Sequence, residues 1–230
     1  PVLWPVIGPT GKAVTRAYPI APDKGENEKH DHPHHRSLWF THGEVNGVDF
    51  WSENEGHGKI VHREFEAIRS GKQATVVARN DWIGPNGKKV CEDRRKLEFG
   101  SAPDNRWIDF EITLVATNGD LTFGDTKEGT FGVRVAGTMK VTANLGGRIV
   151  NSRGETDKEA WGQPAEWVDY YGPVGDQVLG VAILNHPSSF RFPTFWHVRT
   201  YGLFAANPFG RKDFPESPSE SPSESSSESS

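Results

Sequence analysis

The chain has 230 residues, of which 34% are hydrophobic and 25% charged, enough apolar material for one sizeable folded domain. Four of its 31 acidic residues lie in the last 16 positions, and the other 27 nearly balance the 26 basic ones. A body without excess positive charge is not expected to bind nucleic acid. No apolar run reaches the ~18 residues of a membrane helix, so we expect a soluble protein without a membrane partner. The single cysteine, Cys91, excludes an intrachain disulfide framework and a cysteine-rich zinc site.

Short segments with the composition of β-strands recur through the body of the chain. Residues 37–42, 59–68, 76–77, 106–116 and 178–184 are rich in β-branched or aromatic side chains and are bounded by Gly, Asn, Asp or Pro. In the fourth of these segments every second side chain is apolar: Ile108, Phe110, Ile112 and Leu114. This alternation predicts a strand with one buried and one solvent-facing side.

Turn signals separate these strands and limit helices. Residues 70–72 (Ser-Gly-Lys) and 85–87 (Pro-Asn-Gly) are typical of hairpin turns, and only residues 156–161 suggest a turn of helix. We therefore predict an all-β fold, a single antiparallel β-sandwich domain over residues 1–214 with few or no long helices. Residues 215–230 contain only Pro, Glu and Ser, and we expect them to form a disordered tail because they have nothing apolar to bury.

The most unusual segment is rich in histidine. Four of the nine histidines fall within residues 30–35, and Pro33 favours a loop over a regular strand there. Imidazoles bind metals, carry protons or donate hydrogen bonds to sugar hydroxyls. The spacing matches no zinc signature, so a solvated loop, a polar substrate pocket and a metal site all stay open. The candidate residues in and after this segment are His32, His34, His35, Arg36 and His42.

Two carboxylates stand in turns that a rigid sheet could support. Asp49 follows an Asn-Gly pair and is followed closely by Trp51, which suits either a hairpin with a core tryptophan or part of a ligand site. Glu128 lies in a glycine-flanked loop that leads into a strand, where a carboxylate could act as a general base or simply face solvent.

The last ordered segment combines aromatic and polar side chains. If this segment is a strand, His197, Arg199 and Tyr201 lie on the same side of it, because side chains alternate along a strand. Polar tips on a buried strand each need a partner, which favours a polar ligand cavity over a dry core. His186 and Asn207 flank this segment and join the candidate site.

Three motifs together resemble a bacterial family usually filed as PmoA-like, or "methane oxygenase PmoA". They are "DHPHHRSLWFTHGEVNGVDFW", "KEGTFGVRV" and "PTFWHVRTYGLFAANPFG", and the resemblance spans roughly residues 3–214. The methane monooxygenase subunit of that name is an integral membrane protein, so its reaction is not carried over to this chain. The positions that recur in the family are His32, His34, His35, Arg36, His42, Asp49, Trp51, Glu128, His186, His197, Arg199 and Asn207.

The resemblance implies a β-rich domain similar to the galactose-mutarotase-type sandwich. Such enzymes use a histidine as general acid and a carboxylate as general base on a sugar ring, without a metal. On that analogy Glu128 is the expected base and His186 or His197 the acid, a comparison made at the level of the fold.

Three functional hypotheses follow. The first is a carbohydrate-active or carbohydrate-binding protein that takes a small, sugar-like ligand in a pocket lined by His, Arg and Trp. The second is a metal-dependent oxidoreductase that holds copper, iron or zinc on a histidine cluster, with His32, His34 and His197 as candidate ligands. The third is a non-catalytic binding domain.

Overall fold

The computed structural model describes residues 1–214, and these fold as an all-β domain. The predicted tail at residues 215–230 lies outside the described part. Two single-turn 3-10 helices are present, Val141–Ala143 and Asp157–Ala160, and nothing helical in residues 1–214 is long and apolar enough to cross a membrane. The strands in chain order are β1 (Val2–Leu3), β2 (Leu38–His42), β3 (Lys59–Arg69), β4 (Ala74–Ile83), β5 (Lys89–Ala102), β6 (Asn105–Val115), β7 (Gly129–Arg134), β8 (Arg148–Asn151), β9 (Trp167–Val174), β10 (Gln177–Leu184), β11 (Phe195–Val198) and β12 (Leu203–Asn207).

The strands form three antiparallel sheets. A five-stranded sheet has the order β1-β2-β7-β12-β11, a three-stranded sheet the order β10-β9-β8, and a four-stranded sheet the order β3-β4-β5-β6. The two smaller sheets cover the same face of the five-stranded sheet, which makes a two-layered sandwich. The predicted antiparallel β-sandwich is thus confirmed.

Alternation along β2 shows how the layers meet. Leu38 packs in the cluster against the three-stranded sheet, and Phe40 packs in the cluster against the four-stranded sheet. Trp39 points to the opposite face, where it packs with Leu203 and Ala205 of β12. Because side chains alternate along a strand, the five-stranded sheet has a core face and a second, outer face that loops cover.

The strand and turn predictions agree with the structure. Residues 59–68 and 178–184 lie in β3 and β10, and both predicted hairpin turns connect neighbouring strands of the four-stranded sheet. The predicted helical turn is the second 3-10 helix. In β6 the apolar set from Ile108 to Leu114 is half-buried against the core, whereas the intervening side chains are exposed.

A buried carboxylate ties the two layers together. Asp93 of β5 accepts hydrogen bonds from Asn80 Nδ2 at 2.6 Å and from Trp82 Nε1 at 2.7 Å. It also pairs with Arg95, whose Nε and Nη2 lie 3.0 and 2.8 Å from its two oxygens. Arg95 Nη2 in turn donates to the Phe40 carbonyl of the five-stranded sheet at 3.2 Å. Both charged side chains are buried, so removing either one would leave the other as an unpaired buried charge and destabilise the fold.

Candidate functional site

A cavity of about 400 Å³ opens on the outer face of the five-stranded sheet. Loops before β2, after β2, before β7 and between β11 and β12 form its walls. Its size lies near the lower end of the ~300–1,000 Å³ of small-molecule sites. The lining residues are His32, His34, His35, Gly43, Asp49, Trp51, Ser52, Asn54, Thr126, Lys127, Glu128, His197, Arg199 and Tyr201.

A buried arginine shapes the histidine loop. The Arg16 guanidinium donates to the carbonyls of Asp31, His32 and His35 at 2.8, 2.7 and 2.9 Å. It also pairs with the Asp31 carboxylate at 3.1 Å, and Arg134 of β7 contacts the same oxygen at 3.2 Å. His32 has a left-handed backbone with φ 45°, so the segment is a clamped turn, as the loop prediction implied. The clamp turns several imidazoles toward the cavity.

His35 presents a defined donor to the cavity. Arg134 Nη1 lies 2.8 Å from His35 Nδ1, and a guanidinium can only donate, so Nδ1 is the acceptor and Nε2 carries the proton. The ring is stacked between those of His32 and Trp39, with centroid distances of 4.9 and 5.4 Å. Burial, with the charges of its neighbours, lowers the pKa of His35. Burial also lowers the pKa of His34, to about 4.

His197 is, like His35, an almost fully buried polar group of the site. It lies on β11, is 2% exposed, and accepts a hydrogen bond from Arg199 Nε on Nε2 at 3.3 Å. The neutral ring therefore carries its proton on Nδ1, which is buried and forms no hydrogen bond of good geometry within residues 1–214. A contact with the Lys127 backbone favours the protonated ring and partly offsets the effect of burial on its pKa. That Nδ1 lies 3.9 Å from Glu128 Oε2. Burial, and then the charge of Arg199, lowers the pKa of His197 to about 3.

These buried histidines predict that acid destabilises the fold. Above about pH 6.5 they are neutral in both states, whereas at lower pH only the unfolded chain takes up their protons until the folded values near 4 and 3 are reached. We expect His197 alone to cost up to about 1.4 kcal/mol of unfolding free energy per pH unit below 6.5. Urea unfolding at pH 7, 6 and 5 measures this slope.

The matched variants for the acid slope are His197→Gln and His186→Gln. His197→Gln should flatten the slope, whereas the exposed His186 should leave it unchanged on substitution. Equal slopes in His197→Gln and the parent would contradict this origin of the acid sensitivity.

Glu128 reaches the cavity from a loop that two buried side chains hold by hydrogen bonds. Asn207 Nδ2 donates to the Thr126 carbonyl at 2.8 Å, and His42 Nε2 lies 2.7 Å from the Gly124 carbonyl, to which it donates. The Glu128 side chain is 35% exposed, and its Oε1 lies 3.5 Å from Lys127 Nζ. A carboxylate that is held on one side and open on the other can accept a proton from a ligand.

Asp49 and Trp51 form the opposite wall. Asp49 Oδ1 accepts the backbone N–H groups of Trp51 and Ser52 at 2.7 and 3.0 Å, and Oδ2 accepts the Ser52 hydroxyl. The carboxylate is thus occupied in shaping its own turn. Trp51 is buried, and its ring is stacked beside that of His197 with 6.4 Å between centroids.

The turn between β11 and β12 contributes two long side chains. The guanidinium of Arg199 lies over the Trp161 ring, 4.3 Å from the centroid. Tyr201 lies under Arg134 at 4.8 Å and is stacked on His32 at 5.7 Å. The sequence pattern placed His197, Arg199 and Tyr201 on one side of a strand. The structure brings all three to the cavity, the last two from a turn.

The structure gathers eight of the twelve predicted site residues in the cavity wall: His32, His34, His35, Asp49, Trp51, Glu128, His197 and Arg199. It places four others outside. Arg36 pairs with Glu53 at 2.5 Å, and exposed His186 is bonded to Ser188. His42 and Asn207 are buried behind the wall, where they hold the Glu128 loop. These two have supporting contacts rather than access to a ligand.

Sequence reasoning did not propose several residues that the cavity contains. Ser52, Asn54 and Thr126 are small polar neighbours of the proposed residues, and Lys127 directly precedes Glu128. Their position next to the motifs was the one sequence feature that could have predicted them as cavity residues. Arg16, which orders the histidine loop from 15 residues upstream, carried no local signal at all.

The candidate metal ligands do not converge in the described part. Across residues 1–214 no three His, Cys, Asp or Glu side chains are arranged so that they could hold a metal ion. His32 and His34 meet edge to face with 5.8 Å between ring centroids, and His32 also stacks face to face on His35. The nitrogen lone pairs of stacked rings lie in parallel planes, so they do not converge on one point where a metal ion could bind.

Comparison with known proteins identifies a family without assigning a function. No curated protein and no solved structure matches the chain. One family model matches residues 1–227, which include every residue of the cavity. The chain belongs to DUF6807, a family of unknown function.

Proposed function

We propose that this cavity binds a sugar-sized polar ligand and that Glu128 and His197 together transfer a proton on it. The observation that carries the proposal is the buried Nδ1 of His197, which forms no hydrogen bond of good geometry within residues 1–214 and lies 3.9 Å from a carboxylate that is open to the cavity. Buried polar groups without a partner are rare in folded proteins, and those in clefts are often reserved for a ligand.

The pKa of His197 determines which of the two side chains accepts the proton and which donates a hydrogen bond. Because burial lowers this pKa to about 3, the ring is neutral at pH 7 and donates a hydrogen bond from Nδ1 without giving up its proton. Glu128 is the group that accepts a proton from the carbon beside a sugar carbonyl. The electron pair that the proton leaves behind develops on a ligand oxygen, which accepts the hydrogen bond from His197. This refines the sequence prediction, in which a histidine was the acid.

The cavity walls suit a carbohydrate. Trp51, Tyr201 and the imidazoles offer flat surfaces against which the C–H faces of a sugar ring can pack. His35 Nε2, Asn54 and Ser52 offer donors and acceptors to hydroxyl groups. The resemblance to mutarotase-type sandwiches points in the same direction and remains a prediction.

Two measurements on one set of variants test the proposal. Isothermal titration with a panel of monosaccharides, keto sugars included, measures binding, and NMR in D₂O follows deuterium entering the bound sugar. We expect Glu128→Gln to bind within a few-fold of the parent but to exchange deuterium about 100-fold more slowly or worse. The matched control is Glu111→Gln, an exposed carboxylate on β6.

The outcomes separate the hypotheses. No binding of any sugar would refute the proposal as a whole. Binding without deuterium exchange in the parent, or exchange that persists in Glu128→Gln, would refute the catalytic part and favour the non-catalytic binding domain.

A further inference from the structure

The cavity contains one arginine, and its charge has no acidic partner. Arg199 Nε donates to His197, and the guanidinium is braced on the Trp161 ring. Its two terminal amino groups donate to no group within residues 1–214, and no carboxylate of this range lies within the 4.0 Å of an ion pair. The other arginines around the site differ, because Arg16 and Arg134 pair with Asp31.

The other charged side chains of the cavity wall each have a polar partner within residues 1–214. Lys127 and Glu128 face each other at 3.5 Å, and both oxygens of Asp49 are bonded within its own turn. His34 and His197 stay neutral at pH 7, since burial lowers the pKa of each. Within residues 1–214, Arg199 is therefore the cation of the cavity wall that has no carboxylate within ion-pair distance.

We propose that the ligand is a sugar acid, a uronate-type monosaccharide whose carboxylate pairs with the terminal amino groups of Arg199. This rests on the proposed function and names its substrate class. A guanidinium fork matches the two oxygens of a planar carboxylate, and one charge balances one charge. A phosphorylated sugar fits less well because its second negative charge would have to compete with Glu128 for Lys127, the other cation of the cavity.

The test compares sugars that differ only in a carboxylate. Glucose and glucuronate, and galactose and galacturonate, are titrated into the parent protein. We expect each uronate to bind about 10- to 100-fold more tightly than its neutral partner, the range of a charge-assisted hydrogen-bonded pair. Arg199→Gln should bring the members of each pair to equal affinity. Because Arg199 also contacts His197, the ratio of affinities within each pair, and not the absolute affinity, is the readout. Arg94→Gln, an arginine of an exposed ion pair with Glu66, should keep the full preference.

A second variant guards against misfolding. If Arg199→Gln does not fold by circular dichroism, Arg199→Lys keeps the charge without the planar fork, and the preference for the uronate over its neutral partner should fall several-fold. A preference for uronates that survives both variants would overturn the role of Arg199.

The failures of the two proposals are distinguishable. If no sugar of either kind binds the parent, the proposed function fails. If neutral sugars bind as tightly as uronates, or sugar 6-phosphates bind more tightly than uronates, the inference about the sugar acid is wrong while the proposed function stands.

Discussion

Replacing Asp93 with alanine is expected to lower the free energy of unfolding by about 3–5 kcal/mol, the cost of leaving a buried charge without its partner. Arg95 would stay buried, and the Asn80 and Trp82 donors would lose their acceptor. For a domain of this size the corresponding fall in Tm is about 6–20 °C. Urea titration and calorimetry measure the two quantities.

Two companion variants show whether the buried charge is the cause. Asp109→Ala removes an exposed carboxylate from β6 and should change stability by less than about 0.5 kcal/mol. The double variant Asp93→Leu/Arg95→Met replaces both charges with apolar side chains and should recover a large part of the loss. If the double variant is as unstable as Asp93→Ala, charge pairing does not explain the effect, and the cause is packing or the lost acceptor of Asn80 and Trp82.

Arg16→Met should disorder the histidine loop and abolish most ligand binding. The substitution keeps much of the side-chain volume but removes donors to three loop carbonyls and to the Asp31 carboxylate. An unsatisfied buried group costs about 1–3 kcal/mol, so the loop opens to water instead of staying in place unbonded. We expect amide hydrogen exchange in residues 31–36 to accelerate by about 100-fold or more, and sugar affinity to fall with it.

The control for the loop is an arginine with an exposed partner. Arg94→Met breaks the ion pair with Glu66 on the outer side of the four-stranded sheet and should leave both exchange and affinity unchanged. Unchanged exchange in Arg16→Met would mean that contacts other than the Arg16 clamp order the loop.

The strands were predictable because their signal is local. The two-residue period from Ile108 to Leu114 and the turns at residues 70–72 and 85–87 depend on neighbours in the chain, and the structure confirms each of them. The 3-10 turn at Asp157–Ala160 was also visible. The division into three sheets was not, because strand order depends on pairs such as β2 with β7, which lie about 90 residues apart.

The site was predictable in composition and not in roles. The motifs contained Glu128 and His197, but only their meeting at 3.9 Å makes them a pair. Histidine and asparagine commonly bind ligands, but His42 and Asn207 lie behind the cavity wall and hydrogen-bond the loop that carries Glu128. The sequence predicted a loop for the histidine segment, but only the clamped turn of the structure stacks the rings of His32 and His35 together.

The sequence by itself determined that the body is an all-β domain, because hydrophobic alternation and turn chemistry act between neighbouring residues. It also determined which motifs supply the polar side chains of a site. Only the tertiary structure decided which charged side chains form ion pairs and which do not. Arg16, Arg95 and Arg134 are buried on carboxylates, whereas Arg199 reaches the cavity with none. The physical reason is that burial and charge pairing depend on contacts between distant segments, and these also set the protonation of the histidines.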